Sequence, residues 1–399
     1  MTRWLAAVAL CPVAVSLTGC PSSPARSDVL IHVGLEYADQ EDGLTRPVIG
    51  VVLQVMAHGP GVLAGEKEVT TGTTDASGGF SATLPAQEPD LRYSVRVKLV
   101  NDSAECCSGW VVPGMRYPDL TVITLGMDQA DGIATEKKAS AGQVEFAHTF
   151  TGDTASAFNI LDVVRNMATF VRRHEQDVSD DKIGRARIGI DKKTWFDPVA
   201  YTVDFVPRTR WRDRAIRHEY GHYVQAQIGS LAWIASTHTG CTPKALHSFG
   251  GFGNGPGFTD IATARKMHAW LEGFADWLGD AAYADNPDLY SHDSSFGSLE
   301  QASCAESGPW PEGDRFENHV AAFLWDMTDP YSAAEPDDVD GGAQQISSII
   351  TAVDTDLDRH KWPEVFEFSV LYLSAGSRYP AKDSVANAMR NKISTIVLN

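Results

Sequence analysis

No apolar run in the 399-residue sequence reaches the 18 or so residues needed to span a bilayer, so no internal transmembrane helix is expected. Positive charge is in short supply. Lys and Arg number 33 against 52 Asp and Glu, a formal net charge of -19. Phosphate contacts need a basic face, so this balance speaks against a nucleic-acid partner. No repeat at a fixed period is present. The glycine-rich stretch Gly250-Gly251-Phe252-Gly253-Asn254-Gly255-Pro256-Gly257 fits no phosphate-binding motif and reads as a flap or cleft rim. What the chain does have is ordinary for a folded protein. It is 43% hydrophobic and 9% aromatic, which excludes wholesale disorder. The length suggests two or three domains with room for a large core.

The first residues read as an address. Arg3 gives a short positive region, and Leu5 to Leu17 is apolar apart from Pro12 and Ser16. The run ends in Leu17-Thr18-Gly19-Cys20, which resembles the lipobox of bacterial lipoproteins. The resemblance implies export, cleavage of residues 1–19, and acyl chains on Cys20 that anchor the protein in a membrane of the cell envelope. An ordinary signal peptide with a chance cysteine is the other reading. Residues 20–27, with Pro21-Ser22-Ser23-Pro24, form a short tether. Beyond Cys11 and Cys20, four cysteines remain: Cys106, Cys107, Cys241 and Cys304. An even number in an oxidising compartment permits disulfides. Cys241 and Cys304 flank one helical segment and are the best pair. A bridge between adjacent Cys106 and Cys107 would strain the peptide between them.

Residues 28–126 read as a β-sandwich. Apolar and polar residues alternate in Val29–Val33, Val51–Val55 and Tyr93–Leu99, with turn clusters such as Asp75-Ala76-Ser77-Gly78-Gly79 between. The stretch Thr74–Phe80 resembles the turn and strand of transthyretin-like or carboxypeptidase-regulatory-like modules. No chemistry-bearing cluster stands out there. Residues 127–150 read as a linker. From 151 to 399 the pattern becomes mostly helical. Asn159–Arg173 has helical spacing, strands are expected at 186–191 and 201–206, and helices at 211–228, 260–284, 316–327, 343–354, 362–375 and 383–396. The acidic stretch between Asp326 and Gln345 reads as an exposed loop, without the spacing of a calcium loop.

Chemistry concentrates at Arg217-His218-Glu219-Tyr220-Gly221-His222-Tyr223, which contains HExxH. Residues i and i+4 of a helix share a face, so His218 and His222 can present two imidazoles to one ion, and Glu219 can reach a water beside it. A catalytic zinc needs a third protein ligand and an open position. The candidate lies fifty residues on, in Trp270-Leu271-Glu272-Gly273-Phe274-Ala275-Asp276-Trp277. Glu272 can ligate, and Asp276, one turn later, can accept a hydrogen bond from a ligating histidine. Gly273 leaves room for the other helix to approach.

These two motifs resemble the gluzincins, the thermolysin-like zinc metallopeptidases with HExxH and a later ExxxD. The metzincin pattern needs a histidine six residues past the motif, where this chain has Ile228. The gluzincin resemblance implies an α+β zincin-like domain. It also implies Zn2+ held by His218, His222 and Glu272, Glu219 as general base, Asp276 behind a ligand, and a peptide or protein substrate. The donor that polarises the substrate carbonyl is not fixed by the resemblance. His319 on the expected helix at 316–327 leads, with Glu317 and Asn318 equally placed. His268 shares a face with Glu272 and could be an alternative ligand. Two other readings stay open. One is a non-catalytic zinc-containing surface lipoprotein acting in binding or adhesion. The other places the function in the β-module; an enzyme is expected to keep hydrolysis when 28–126 are deleted.

Overall fold

The computed structural model describes residues 27–59, 66–87, 90–101, 122–125, 127–128, 133–134, 137–140, 142–174, 187–190, 195–197, 202–205, 209–228, 261–290, 317–328 and 342–355. The N-terminal part is built of strands: β1 (Ser27–Ala38), β2 (Thr45–Pro47), β3 (Val51–His58), β4 (Glu66–Thr73), β5 (Gly79–Gln87), β6 (Arg92–Asn101), β7 (Val122–Leu125), β8 (Met127–Asp128), β9 (Ile133–Ala134), β10 (Lys137–Lys138) and β11 (Gln143–Phe150). Helix α1 (Gly152–His174) follows, then β12 (Arg187–Ile190), β13 (Trp195–Asp197) and β14 (Thr202–Phe205). Helices α2 (Asp213–Ile228), α3 (Ile261–Asp285), α4 (Glu317–Asp326) and α5 (Gly342–Thr355) complete the described chain.

Alternation builds the sheets. Val29, Ile31, Val33, Leu35 and Tyr37 of β1 are buried, as are Val51, Leu53 and Val55 of β3 and Tyr93, Val95 and Val97 of β6. Each aliphatic side chain of this kind contributes about 1.5–3 kcal/mol when fully buried. β1 pairs with β11 in parallel and with β5 and β2 antiparallel. A second, antiparallel sheet runs β10-β6-β3-β4, with β7 also on β6. The turn into β5 is closed by Asp75, whose Oδ1 accepts from the Ser77 and Gly79 amides at 2.8 and 2.9 Å. Gly78 there has φ 75°, and a Cβ on it would lie 2.2 Å from the Leu35 carbonyl oxygen, so only glycine fits.

One expectation changes. Residues 127–150 are not a bare linker. Gln143–Phe150 continues the first sheet, because Val144, Phe146 and Phe150 bury against it while their neighbours stay exposed. Its parallel partner β1 lies far back in the chain, so no local signal announces the pairing. β4 was also illegible: Glu-Lys-Glu-Val-Thr-Thr-Gly-Thr has no buried face, and the strand exists because β3 supplies its ladder. The strands near 186–191 and 201–206 are present as β12 and β14, joined by β13. The expected helices 362–375 and 383–396 lie outside the described residues, as do Cys20, Cys106, Cys107, Cys241 and Cys304. No described helix is long and apolar enough to cross a membrane.

The strands are knitted to the helices at one junction. Tyr37 of β1 donates to Asp162 Oδ2 of α1 at 3.0 Å, and its ring stacks near Phe158 and Trp211. Arg165 pairs with Asp162 at 3.1 Å and donates to the Ile49 carbonyl. Asn159 of α1 donates to the Arg210 carbonyl at 2.9 Å and to Asp213 at the start of α2. The helix carrying HExxH is therefore held at its first turn by α1, which is held in turn by β1.

Candidate metal centre

α2 places His218 and His222 on one face, with ring centroids 4.6 Å apart and planes at 90°. α3 crosses it antiparallel and brings Glu272 between them. Glu272 Oε2 lies 3.2 Å from His218 Nε2 and 3.4 Å from His222 Nε2. Behind His218, Nδ1 donates to Asp276 Oδ1 at 2.7 Å. That bond puts the ring proton on Nδ1 and turns Nε2 toward Glu272. Glu219 is buried beside His218.

Glu272 has 0% exposure. A carboxylate so placed needs a cation or hydrogen-bond donors, since isolating its charge costs several kcal/mol. Burial pushes its carboxyl up, but His222 and His218 outweigh that and hold it well below the usual carboxylate range. Burial likewise opposes charge on His218, and Asp276 and Glu272 overcome it, raising that imidazole well above its ordinary value.

The ligand atoms of His218, His222 and Glu272 lie within 4.8 Å of one another. Zinc bonds of 2.0–2.1 Å in a tetrahedron separate donor atoms by about 3.4 Å. The two donor separations at Glu272 agree with that, and two imidazoles with one carboxylate is a donor set of catalytic zinc. The residues fit the metal.

The helix crossing itself departs from expectation. A Cβ on Gly273 would lie 2.7 Å from the Glu317 carbonyl oxygen and from Val320 Cβ, so Gly273 admits α4 rather than α2. The ligand helices instead close through Gly221, where a Cβ would lie 2.8 Å from Ala275 Cα. α4 thus begins beside the ligand turn. His319 is buried in that first turn but is not one of the three clustered ligands. His268 Nε2 stands 3.8 Å from Glu272 Oε1, near the oxygen that faces away from His218 and His222. The glycine-rich loop at 250–257 falls outside the described residues.

Residues 172–361 match the family model of the mycolysin C-terminal domain. That domain is found in thermolysin-family peptidases, so the match indicates a peptidase relationship for the segment that carries all of these side chains. An uncharacterized protein of Archaeoglobus fulgidus is 26% identical over 331 residues, covering 74% of this chain and 87% of that protein. Among solved structures, a 9R-lipoxygenase from Cyanothece PCC8801 aligns over 42% of this chain at 11% identity and a TM-score of 0.17. This chain spans 25% of that lipoxygenase, and so low a score supports no argument about fold.

Sequence reasoning overlooked two side chains at the same crossing, Arg217 and Asp280. Both are buried. The available signal was spacing: Glu272, Asp276 and Asp280 recur every four residues along one apolar helix.

Proposed function

We propose that this chain is a zinc-dependent peptidase, exported and anchored to a membrane of the cell envelope through lipid on Cys20. Its N-terminal sheets form a β-sandwich module, and residues 151–399 form a zincin-like α+β, mostly helical domain. The observation that carries the reading is the Glu272 carboxylate, wholly buried between two imidazoles. It lies within the segment that matches the mycolysin C-terminal domain.

Zinc held by His218, His222 and Glu272 would supply a Lewis acid that polarises a carbonyl and lowers the pKa of a water. The chain's own residues do the rest. Glu219 takes the proton of the attacking water on its carboxylate and delivers it to the leaving amine, as the water oxygen bonds to the carbonyl carbon and the C–N bond breaks. Asp276 keeps the His218 proton on Nδ1. His319 donates to the substrate carbonyl oxygen as charge grows there.

The test is zinc analysis of the full chain together with a chelator-sensitive casein or peptide-library assay. Glu219→Gln should keep the metal and lose about 10²–10⁴ in turnover, the range expected of a general base. Undiminished hydrolysis by that variant would overturn the mechanism. A wild-type protein that binds zinc without turning over any peptide would point to the non-catalytic role.

A further inference from the structure

Three carboxylates on α3 face three basic side chains on α2. Glu272 meets His222 and His218, Asp276 meets His218, and Asp280 meets Arg217. The third rung has no part in the chemistry above. Arg217 immediately precedes His218 and has 0% exposure. Its guanidinium carbon lies 5.0 Å from the Tyr283 ring centroid and 4.7 Å from that of Tyr290. Asp280 Oδ1 is 4.0 Å from its Nη2. Gly279 makes the approach feasible, since a Cβ there would lie 3.2 Å from Arg217 Cβ.

A guanidinium is always charged in proteins, so burying one between two rings and a carboxylate is costly and geometrically demanding. Its use can be read from the carboxylate spacing. Acids repeat every four residues on α3, and one helical turn is 5.4 Å. Sliding α3 by a turn would still set a carboxylate opposite His218. Imidazole–carboxylate pairing therefore does not fix the register of the two helices. The tyrosine cage does, because it meets Arg217 in one register alone.

We infer that Arg217, caged by Tyr283 and Tyr290 with Asp280 balancing its buried charge, is a positioning residue that locks the register of the two ligand helices and so shapes the metal centre before metal binds. The inference rests on the zinc-site reading above. Buried ionic groups that set register at a cost in stability are known from helical interfaces.

The test uses the full chain. Arg217→Met combined with Asp280→Leu removes both charges at similar volume, a change that is often neutral or stabilising in itself. The double variant should melt no lower than wild type, yet bind zinc about 10- to 100-fold more weakly, the usual cost of losing support behind a metal's ligands. Its cobalt-loaded form should show an altered visible absorption spectrum. Tyr283→Leu, which opens the cage and leaves both charges in place, should move affinity and spectrum the same way and decides the matter if the double variant does not fold. Wild-type zinc affinity and cobalt spectrum in these variants would overturn the inference, as would an affinity loss that merely tracks a loss of stability. If the wild-type chain bound neither metal, the zinc-site reading would fall first and this inference with it.

Discussion

Asp276 accepts a hydrogen bond from His218 Nδ1 at 2.7 Å, and that contact decides which ring nitrogen faces Glu272. Asp276→Ala should therefore weaken zinc binding about 10- to 100-fold with every ligand intact, and Asp276→Asn less, because an amide oxygen still accepts. Competition against a chromogenic chelator measures this. An unchanged dissociation constant in the alanine variant would mean that packing alone orients the ring. The role of this residue was legible because two carboxylates four apart stand among Trp270, Leu271, Phe274 and Trp277, which are all buried. A carboxylate in such company must have partners. Arg217 was not legible by the same logic. A charged residue beside a motif reads as solvated unless one knows that Tyr283 and Tyr290 flank it, and Tyr290 lies beyond the end of α3.

Helix pairing depends on the smallest side chains at the crossing. Gly221→Ala sets two effects against each other. Alanine favours the helix by about 1 kcal/mol over glycine. Its Cβ, however, would lie 2.8 Å from Ala275 Cα and 2.9 Å from the Ala275 carbonyl oxygen, backbone atoms that move only if the helices part. Overpacking of this sort costs about 1–3 kcal/mol, so the clash wins. The variant should melt lower and bind zinc more weakly, since His222 is the next residue on α2 and Glu272 sits across the gap. A variant as stable as wild type with full zinc affinity would show that α2 and α3 can shift without cost. The periodicity of α1 was readable because its later turns bury residues at helical spacing, whereas Ile216–Gln225 of α2 and Met267–Ala282 of α3 are buried on every face and were read from their motifs. Which glycine faces which helix was not readable, because residues one position apart point about 100° away from each other. Gly273 was thus assigned to the wrong neighbour, and Gly221 passed unnoticed inside the motif.

At the scale of the whole chain, one continuous hydrophobic cluster runs from the strands through α1 to α2, α3, α4 and α5. The N-terminal strands are therefore part of what holds the centre in shape. Deleting residues 28–126 would remove Tyr37 from Phe158 and Trp211 and leave β11 without β1. In place of the retained hydrolysis expected of a separable module, the truncated chain should melt at a lower temperature and hold zinc more weakly. Wild-type values for both would make the module dispensable. The junction also predicts a pH effect. Burial pushes the Asp162 carboxyl up from 3.8 to about 6, against the pull of Arg165 and the Tyr37 hydrogen bond. The folded state then binds this proton more tightly than the unfolded state. Its contribution to stability is complete below about pH 4 and is lost as pH rises through about 6, amounting to about 3 kcal/mol in full, of which about 2 kcal/mol falls between pH 4 and pH 7. Asp162→Asn cannot titrate. Denaturant unfolding of both proteins should show wild type losing about 2 kcal/mol relative to the variant between pH 4 and pH 7. A difference that stays flat across that interval would mean that the carboxyl of Asp162 titrates alike in the folded and unfolded chain, and that strand and helix are not joined through a protonated group.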